Sequence, residues 1–314
     1  MLRFFSRQPG LGIEITSSAV RLAAVSGRGA NLFVCYAKTA DLPSGMVTES
    51  YATPNIRDGK GLADALRESL AGASRGFRRA ALSLPDGVFR VQTLEFDQLP
   101  AKPVERERLI RWRIEKTAAF DLSDTVLRHH VLRRQESGFT VLACVAKQAV
   151  IAQYESVLME LGIEPWSVGL SSFHILNLYS PTIAKKSPVF ALAHLTDDSF
   201  TTIVTESGGT RFYRYKEVKR GSADEIKARF MREIEDSLHF YTHMDRTQTS
   251  EVRHLYLTGE STLPYDLAEG LSTATSLNVE VLSPADIITQ DGEGEPASAR
   301  LGVMAAALGA GSSL

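Results

Sequence analysis

Residues 12–25 read "GIEITSSAVRLAAV", and this stretch decides the fold. An apolar, β-branched run ends in a short hydroxyl-rich turn, and a second apolar run follows at once. The pattern is strand, tight turn, strand. In nucleotide-binding folds such a turn presents backbone N–H groups and small hydroxyls to phosphate oxygens. Here the acid at the strand end is Glu14 and the first turn residue is Thr16.

The pattern recurs 180 residues later as "AHLTDDSFTTIV", residues 193–204. Without gaps, Thr16 aligns with Thr196 and Glu14 with His194. Each copy continues into a third strand through a Gly-containing turn, at Ser26–Gly29 and at Glu206–Gly209. Coincidence of both turns predicts an internal duplication, hence two similar lobes facing a cleft.

The rest of the chain is read around these two copies. The first lobe, 1–83, adds a helix near 59–73, with Leu62, Leu66 and Leu70 at four-residue spacing, and a buried strand "RRAALSLP". An α+β insert follows over 84–163: strand "GVFRVQTLEF", helix "VERERLIRWRIEKTAAF", a hairpin around Gly138, and helix "QAVIAQYESVLMELG". Residues 164–187 return to the first lobe. The second lobe, 188–296, contains the longest helix. Its start has a capping box, Ser222 with Glu225, and its stripe is Ile226, Phe230, Ile234, Leu238 and Tyr241. An acidic, Gly-rich loop is expected at 289–296, and an Ala-rich helix over 297–314 is expected to pack on the first lobe.

Composition narrows the function. With 35 Lys and Arg against 37 Asp and Glu, no basic field points to nucleic acid. No apolar run reaches the ~18–20 residues of a membrane span. Residues 1–10 mix Leu2, Phe4 and Phe5 with Arg3 and Arg7, which suits either a frayed end or contact with an anionic membrane surface. Cys35 and Cys144 are expected to be buried free thiols. His129 and His130 alternate across a strand, which argues against a shared metal with Cys144.

Taken in order, "GIEITSSAVRL", "ALSLPDGVFRVQTLEF", "IRWRIEKTAAFDLSD", "VLACVAKQAVIAQYESVLMELGIEPWSV", "REIEDSLHFY", "LYLTGE" and "ARLGVMAAALG" resemble the PilM family of type IV pilus assembly proteins, actin-like relatives of FtsA. The resemblance spans nearly the whole chain. It implies a two-lobed actin-like (ribonuclease H-like) α/β fold with duplicated mixed sheets. The insert would be an FtsA-type 1C subdomain.

It also implies ATP and magnesium between the lobes. The positions carried over are Glu14, Thr16, Ser17, Ser18 and Arg21 in the first phosphate turn. The second turn contributes Thr196, Asp197 and Ser199, and the adenosine turn Thr258 and Gly259, followed by Glu260. This sequence departs from the family at each turn. Glu14 and His194 stand where the family has Asp, and Thr16 and Thr196 stand where it has Gly. Arg21 replaces a Lys, and Glu260 replaces the second Gly of the adenosine turn. His is a poor ligand for magnesium. A Thr where φ > 0 or close phosphate approach is needed is unfavourable. The short passage from "RYKEV" into the long helix removes much of the subdomain that grips adenosine.

The expected protein is therefore a cytoplasmic scaffold, peripheral to the inner membrane, with nucleotide binding weak or lost and no catalytic residue assigned. Its expected partner is the cytoplasmic N-terminal peptide of a PilN-like protein, alongside other components of the pilus platform. Leu84, Val88, Phe89 and Trp112 are the candidate groove residues, although for any single one of them a place in the insert's own core is the expected reading. The alternatives are an active actin-like ATPase, with Asp197 or Asp198 rescuing the second turn, and a GspL-like secretion domain. The latter is expected to continue into a membrane span.

Overall fold

The computed structural model describes residues 10–28, 31–73, 76–117, 122–135, 138–218, 221–244, 250–259, 262–290 and 304–312. Residues 1–9 and Glu260 lie outside them, as do 291–303 of the acidic loop and C-terminal segment.

The opening stretch forms a meander of β1 (Gly10–Ile15), β2 (Ala19–Arg28) and β3 (Asn31–Asp41). Helix α1 (Gly59–Ala71) then leads to β4 (Arg79–Leu84), parallel to β1. Two later strands complete this sheet: β8 (Glu164–Leu170) beside β4, and β14 (Ile288–Gln290) beside β3. The order is β14-β3-β2-β1-β4-β8. The acidic loop expected from residue 289 therefore begins inside a strand. A three-residue edge strand carries too short a pattern to read from sequence.

The second lobe repeats the wiring. β9 (Val189–Leu195), β10 (Ser199–Glu206) and β11 (Gly209–Glu217) form the meander. Helix α5 (Ala223–Met244) leads to β12 (His254–Gly259), parallel to β9, and α6 (Leu263–Thr275) leads to β13 (Asn278–Val281). The order β11-β10-β9-β12-β13 matches the core of the first sheet. Registers match as well. Glu14 faces Arg21, and His194 faces Thr201. The first meander is bulged between Ala24 and Val25, the second between Val204 and Thr205. A bulge is a specific local device, and its return at the same 180-residue offset supports duplication independently of the turns. Ser207 (φ 50°) and Gly208 (φ 80°) make the second hairpin turn left-handed at both central positions.

The insert has its own sheet, β5-β7-β6, from β5 (Arg90–Phe96), β6 (Thr125–Gln135) and β7 (Gly138–Lys147). Helix α2 (Pro103–Thr117) covers one face, with Ile110 and Ile114 on Leu94, Leu127, Val141 and Val145. The other face turns Leu132, Leu142 and Ala146 toward the first lobe, where α3 (Gln148–Glu160) packs. The strand expected from Gly87 starts later, because Asp86–Val88 form a 3-10 turn. Among the described residues no helix is long and apolar enough to cross a membrane.

Helix α4 (Ser171–Lys186) and the C-terminal α7 (Ala305–Ser312) close the first lobe. α7 is buried almost throughout and lies on β1. A Cβ on Gly12 would sit 1.9 Å from the Ala307 carbonyl oxygen, so Gly12 is what lets this helix dock. The cysteines correct the expectation: Cys35 is exposed and Cys144 half-buried. Cys35 alternates outward on β3 between buried Val34 and half-buried Tyr36.

Candidate functional site

The two phosphate-type turns have one geometry. In the first, the Thr16 N–H donates to the Ala19 carbonyl at 2.9 Å, and the Thr16 hydroxyl accepts from the Ala19 N–H at 3.0 Å. In the second, the Thr196 N–H donates to the Ser199 carbonyl at 2.9 Å, and the Thr196 hydroxyl accepts from the Ser199 N–H at 3.1 Å. Each threonine thus closes its own turn with its side chain. Neither Thr16 nor Thr196 has positive φ, so the turn does not demand the left-handed backbone that would disfavour a threonine. The Ser17 N–H is also engaged, donating to Glu49 Oε1 at 3.1 Å. A carboxylate of the chain itself therefore accepts from this turn's backbone N–H.

The Glu14 carboxylate faces inward. Arg21 Nη1 donates to its Oε2 at 3.1 Å, and the Ser171 hydroxyl donates to its Oε1 at 3.3 Å. Ser171 in turn lies 3.1 Å from the Ser83 hydroxyl. Arg21 is therefore committed to Glu14 behind the turn.

The cleft between the turns has a volume of about 190 Å³. Small-molecule sites are commonly ~300–1,000 Å³. Among the described residues its walls carry Glu14, Glu49, Asp86, Asp197 and Asp198. Among the described residues, no three acidic, His or Cys side chains are grouped to hold a metal. In this geometry Thr16, Thr196 and Glu14 are each hydrogen-bonded within the chain.

Of the residues expected at a nucleotide site, Glu14, Thr16, Ser17, Ser18, Thr196, Asp197 and Ser199 meet at this cleft. Thr258 and Gly259 are not among its walls. Thr258 pairs with His194 between strands, and a Cβ on Gly259 would lie 2.6 Å from the Leu195 carbonyl oxygen, so this glycine serves strand packing.

Asp86 was not anticipated. It lies in "SLPDGV" between β4 and the insert, 6 % exposed. Its Oδ1 accepts from the Ser172 N–H at 3.1 Å; its Oδ2 accepts from the Thr201 and Tyr213 hydroxyls, each at 2.8 Å. A Pro-Asp-Gly turn is legible in sequence, but its long-range donors are not.

A larger groove of about 870 Å³ opens between the insert, the first lobe and the second-lobe turn Gly208–Thr210. Strands β6 and β8 line it, and each is an edge strand of its sheet. Phe89, Leu132, Leu142, Val168 and Phe173 give it an apolar floor, with Arg128 and Glu155 on its walls. Of the four expected partner residues only Phe89 reaches it. Leu84 and Val88 are fully buried in the core. Trp112 projects from α2, on the far face of the insert sheet, 47 % exposed beneath the Lys116 ammonium. His174 also lines the groove, and burial holds its pKa down at about 4. Trp166, on the β8 edge, is 55 % exposed with the Arg79 guanidinium 4.5 Å from its ring centroid.

No protein-family model matches the chain, and no curated protein matches it in sequence. Solved structures do. A chain of the "PilM-PilN type IV pilus biogenesis complex" superimposes with a TM-score of 0.80 at 20 % identity, covering 97 % of this chain and 98 % of that one. The ethanolamine utilization protein EutJ from Carboxydothermus hydrogenoformans gives 0.52 at 9 % identity, covering 98 % and 90 %. The cytoplasmic domain of EpsL, an inner-membrane component of the type II secretion system of Vibrio cholerae, gives 0.47 at 11 % identity, covering 79 % and 81 %. The chain shares the two-lobed actin-like fold, and its likeness to the pilus complex covers nearly the whole of both chains.

Proposed function

We propose that this protein is an actin-like scaffold of a type IV pilus or related secretion machine. It would hold an extended cytoplasmic segment of a PilN-like inner-membrane protein and bring it to other platform components at the cytoplasmic face of the inner membrane. The observation that carries this reading is the contrast between its two openings. The cleft at the phosphate-type turns is small and lined by carboxylates and by hydroxyls, with Glu49 accepting from the Ser17 N–H. The groove is more than four times larger, apolar-floored, and bordered by two strand edges. Edge strands offer unpaired backbone groups to an added strand, and apolar pockets select its alternate side chains. The fold of the pilus complex is consistent with such a role. Binding of this kind requires neither nucleotide nor hydrolysis, and the departures at Glu14, Thr16, His194 and Thr196 support weak or absent nucleotide affinity in this reading.

The test is a synthetic peptide of the N-terminal cytoplasmic segment of a PilN-like protein from the same organism, titrated into the full chain by fluorescence anisotropy. Saturable binding that Phe173→Asp abolishes is expected. An intact chain that leaves the peptide free overturns the scaffold reading. Calorimetry with millimolar magnesium-ATP tests the other half, and a clear binding isotherm there overturns it.

A further inference from the structure

We infer that Asp86 is a built-in latch that holds the two lobes closed and, through them, shapes the groove. This inference rests on the groove reading above for its partner, but its structural core stands apart from it. Asp86 belongs to the link between the first lobe and the insert. Its two oxygens reach both ways: Oδ1 to the Ser172 N–H at the start of α4, Oδ2 to Thr201 on β10 and Tyr213 on β11. Hydrogen bonds to a charged, buried acceptor are the strong kind.

The rest of β11 reinforces this contact. Arg211, Tyr213 and Tyr215 alternate along the strand and share one face. Arg211 Nη1 donates to the Leu132 carbonyl of β6 at 2.8 Å. Tyr215 packs over Gly87, where a Cβ would lie 2.8 Å from its hydroxyl oxygen. Tyr213 stacks on Phe173, with ring centroids 5.7 Å apart and planes 6° from parallel. Phe173 is groove floor, and Gly208–Thr210, just before these residues, is groove wall. Opening of the lobes would withdraw that wall and pull Tyr213 from Phe173. Where an actin-like protein depends on a nucleotide to bridge its lobes, this chain has a carboxylate with three donors.

Double electron–electron resonance tests this on the full chain. Spin labels go on Glu68→Cys in α1 and Glu269→Cys in α6, both exposed positions, in a Cys35→Ser, Cys144→Ala background. Without nucleotide the parent is expected to give one narrow interlobe distance. Asp86→Asn and the milder pair Thr201→Val with Tyr213→Phe, which keeps the ring stack, are expected to broaden it. They are also expected to weaken the peptide by about tenfold or more. Thermal melts confirm that each variant is folded, and the milder pair serves if Asp86→Asn is not. Folded variants whose distance distribution superimposes on the parent's overturn the latch. If the parent ignores the peptide while the variants still broaden, the latch stands and the scaffold reading falls.

Discussion

Arg21 and Glu14 face each other across the β1–β2 pair, Nη1 to Oε2 at 3.1 Å, with their side chains 5 % and 3 % exposed. Removing one member of a buried ion pair leaves the other charge without compensation, at a cost of about 3–5 kcal/mol. Replacing both with neutral groups of like volume is far less costly. Arg21→Met is therefore expected to lower the unfolding free energy by about 3 kcal/mol or more, and Glu14→Gln with Arg21→Met to recover most of that. Urea unfolding with a shared m-value measures both. A loss under about 1 kcal/mol for Arg21→Met would mean that Glu14 regains water and the pair is not structural.

The two threonines make matching bonds, so they should respond alike. Thr16→Val and Thr196→Val keep the shape but remove the hydroxyl that accepts the Ala19 and Ser199 N–H groups. Each is expected to cost about 1–2 kcal/mol, and Thr→Ser about a few tenths. Large loss at one turn and none at the other would break the equivalence that the shared geometry implies.

Much of the fold was legible because it is carried by local signals. The repeat of Thr16 at Thr196, the Gly208 turn and the Ser222–Glu225 capping box all stand where the sequence put them. The cleft was half legible. The turn residues meet there, but Glu49 and Asp86 come to it from loops whose reach depends on tertiary packing. Leu84 and Val88 belong to the core cluster of the first lobe, and Trp112 stands on the α2 side of the insert, placements that depend on tertiary packing rather than on local pattern.

Gly12 offers a test of how α7 is held. Its missing Cβ leaves room for the Ala307 carbonyl, and Gly311 approaches the Gly10 and Ala23 carbonyl oxygens in the same contact. Backbone has no alternative rotamer, so a methyl here must push the helix away. Gly12→Ala is expected to cost about 3 kcal/mol or more, at or above the usual range for overpacking. Limited proteolysis should then cut the C-terminal segment faster. A Gly12→Ala chain with wild-type stability and protease resistance would show that α7 shifts freely on β1.

His174 should give the protein a pH-dependent stability with a definite sign. Its ring packs on Gly169, where a Cβ would lie 2.9 Å from Nε2, and its Nδ1 has no hydrogen-bond partner among the described residues. Burial lowers its pKa from 6.5 to about 4 in the folded state. The folded chain therefore keeps this imidazole neutral at pH values where the unfolded chain protonates it. Its contribution is fully present above pH 6.5 and is lost as pH falls toward 4, amounting to about 3 kcal/mol over that window. Carboxylates titrate in the same range, so the comparison is between the wild type and His174→Gln. Melting temperature followed from pH 7.5 down to pH 4 should fall more steeply in the wild type. Parallel curves for the two chains would mean that His174 takes up its proton without leaving the fold.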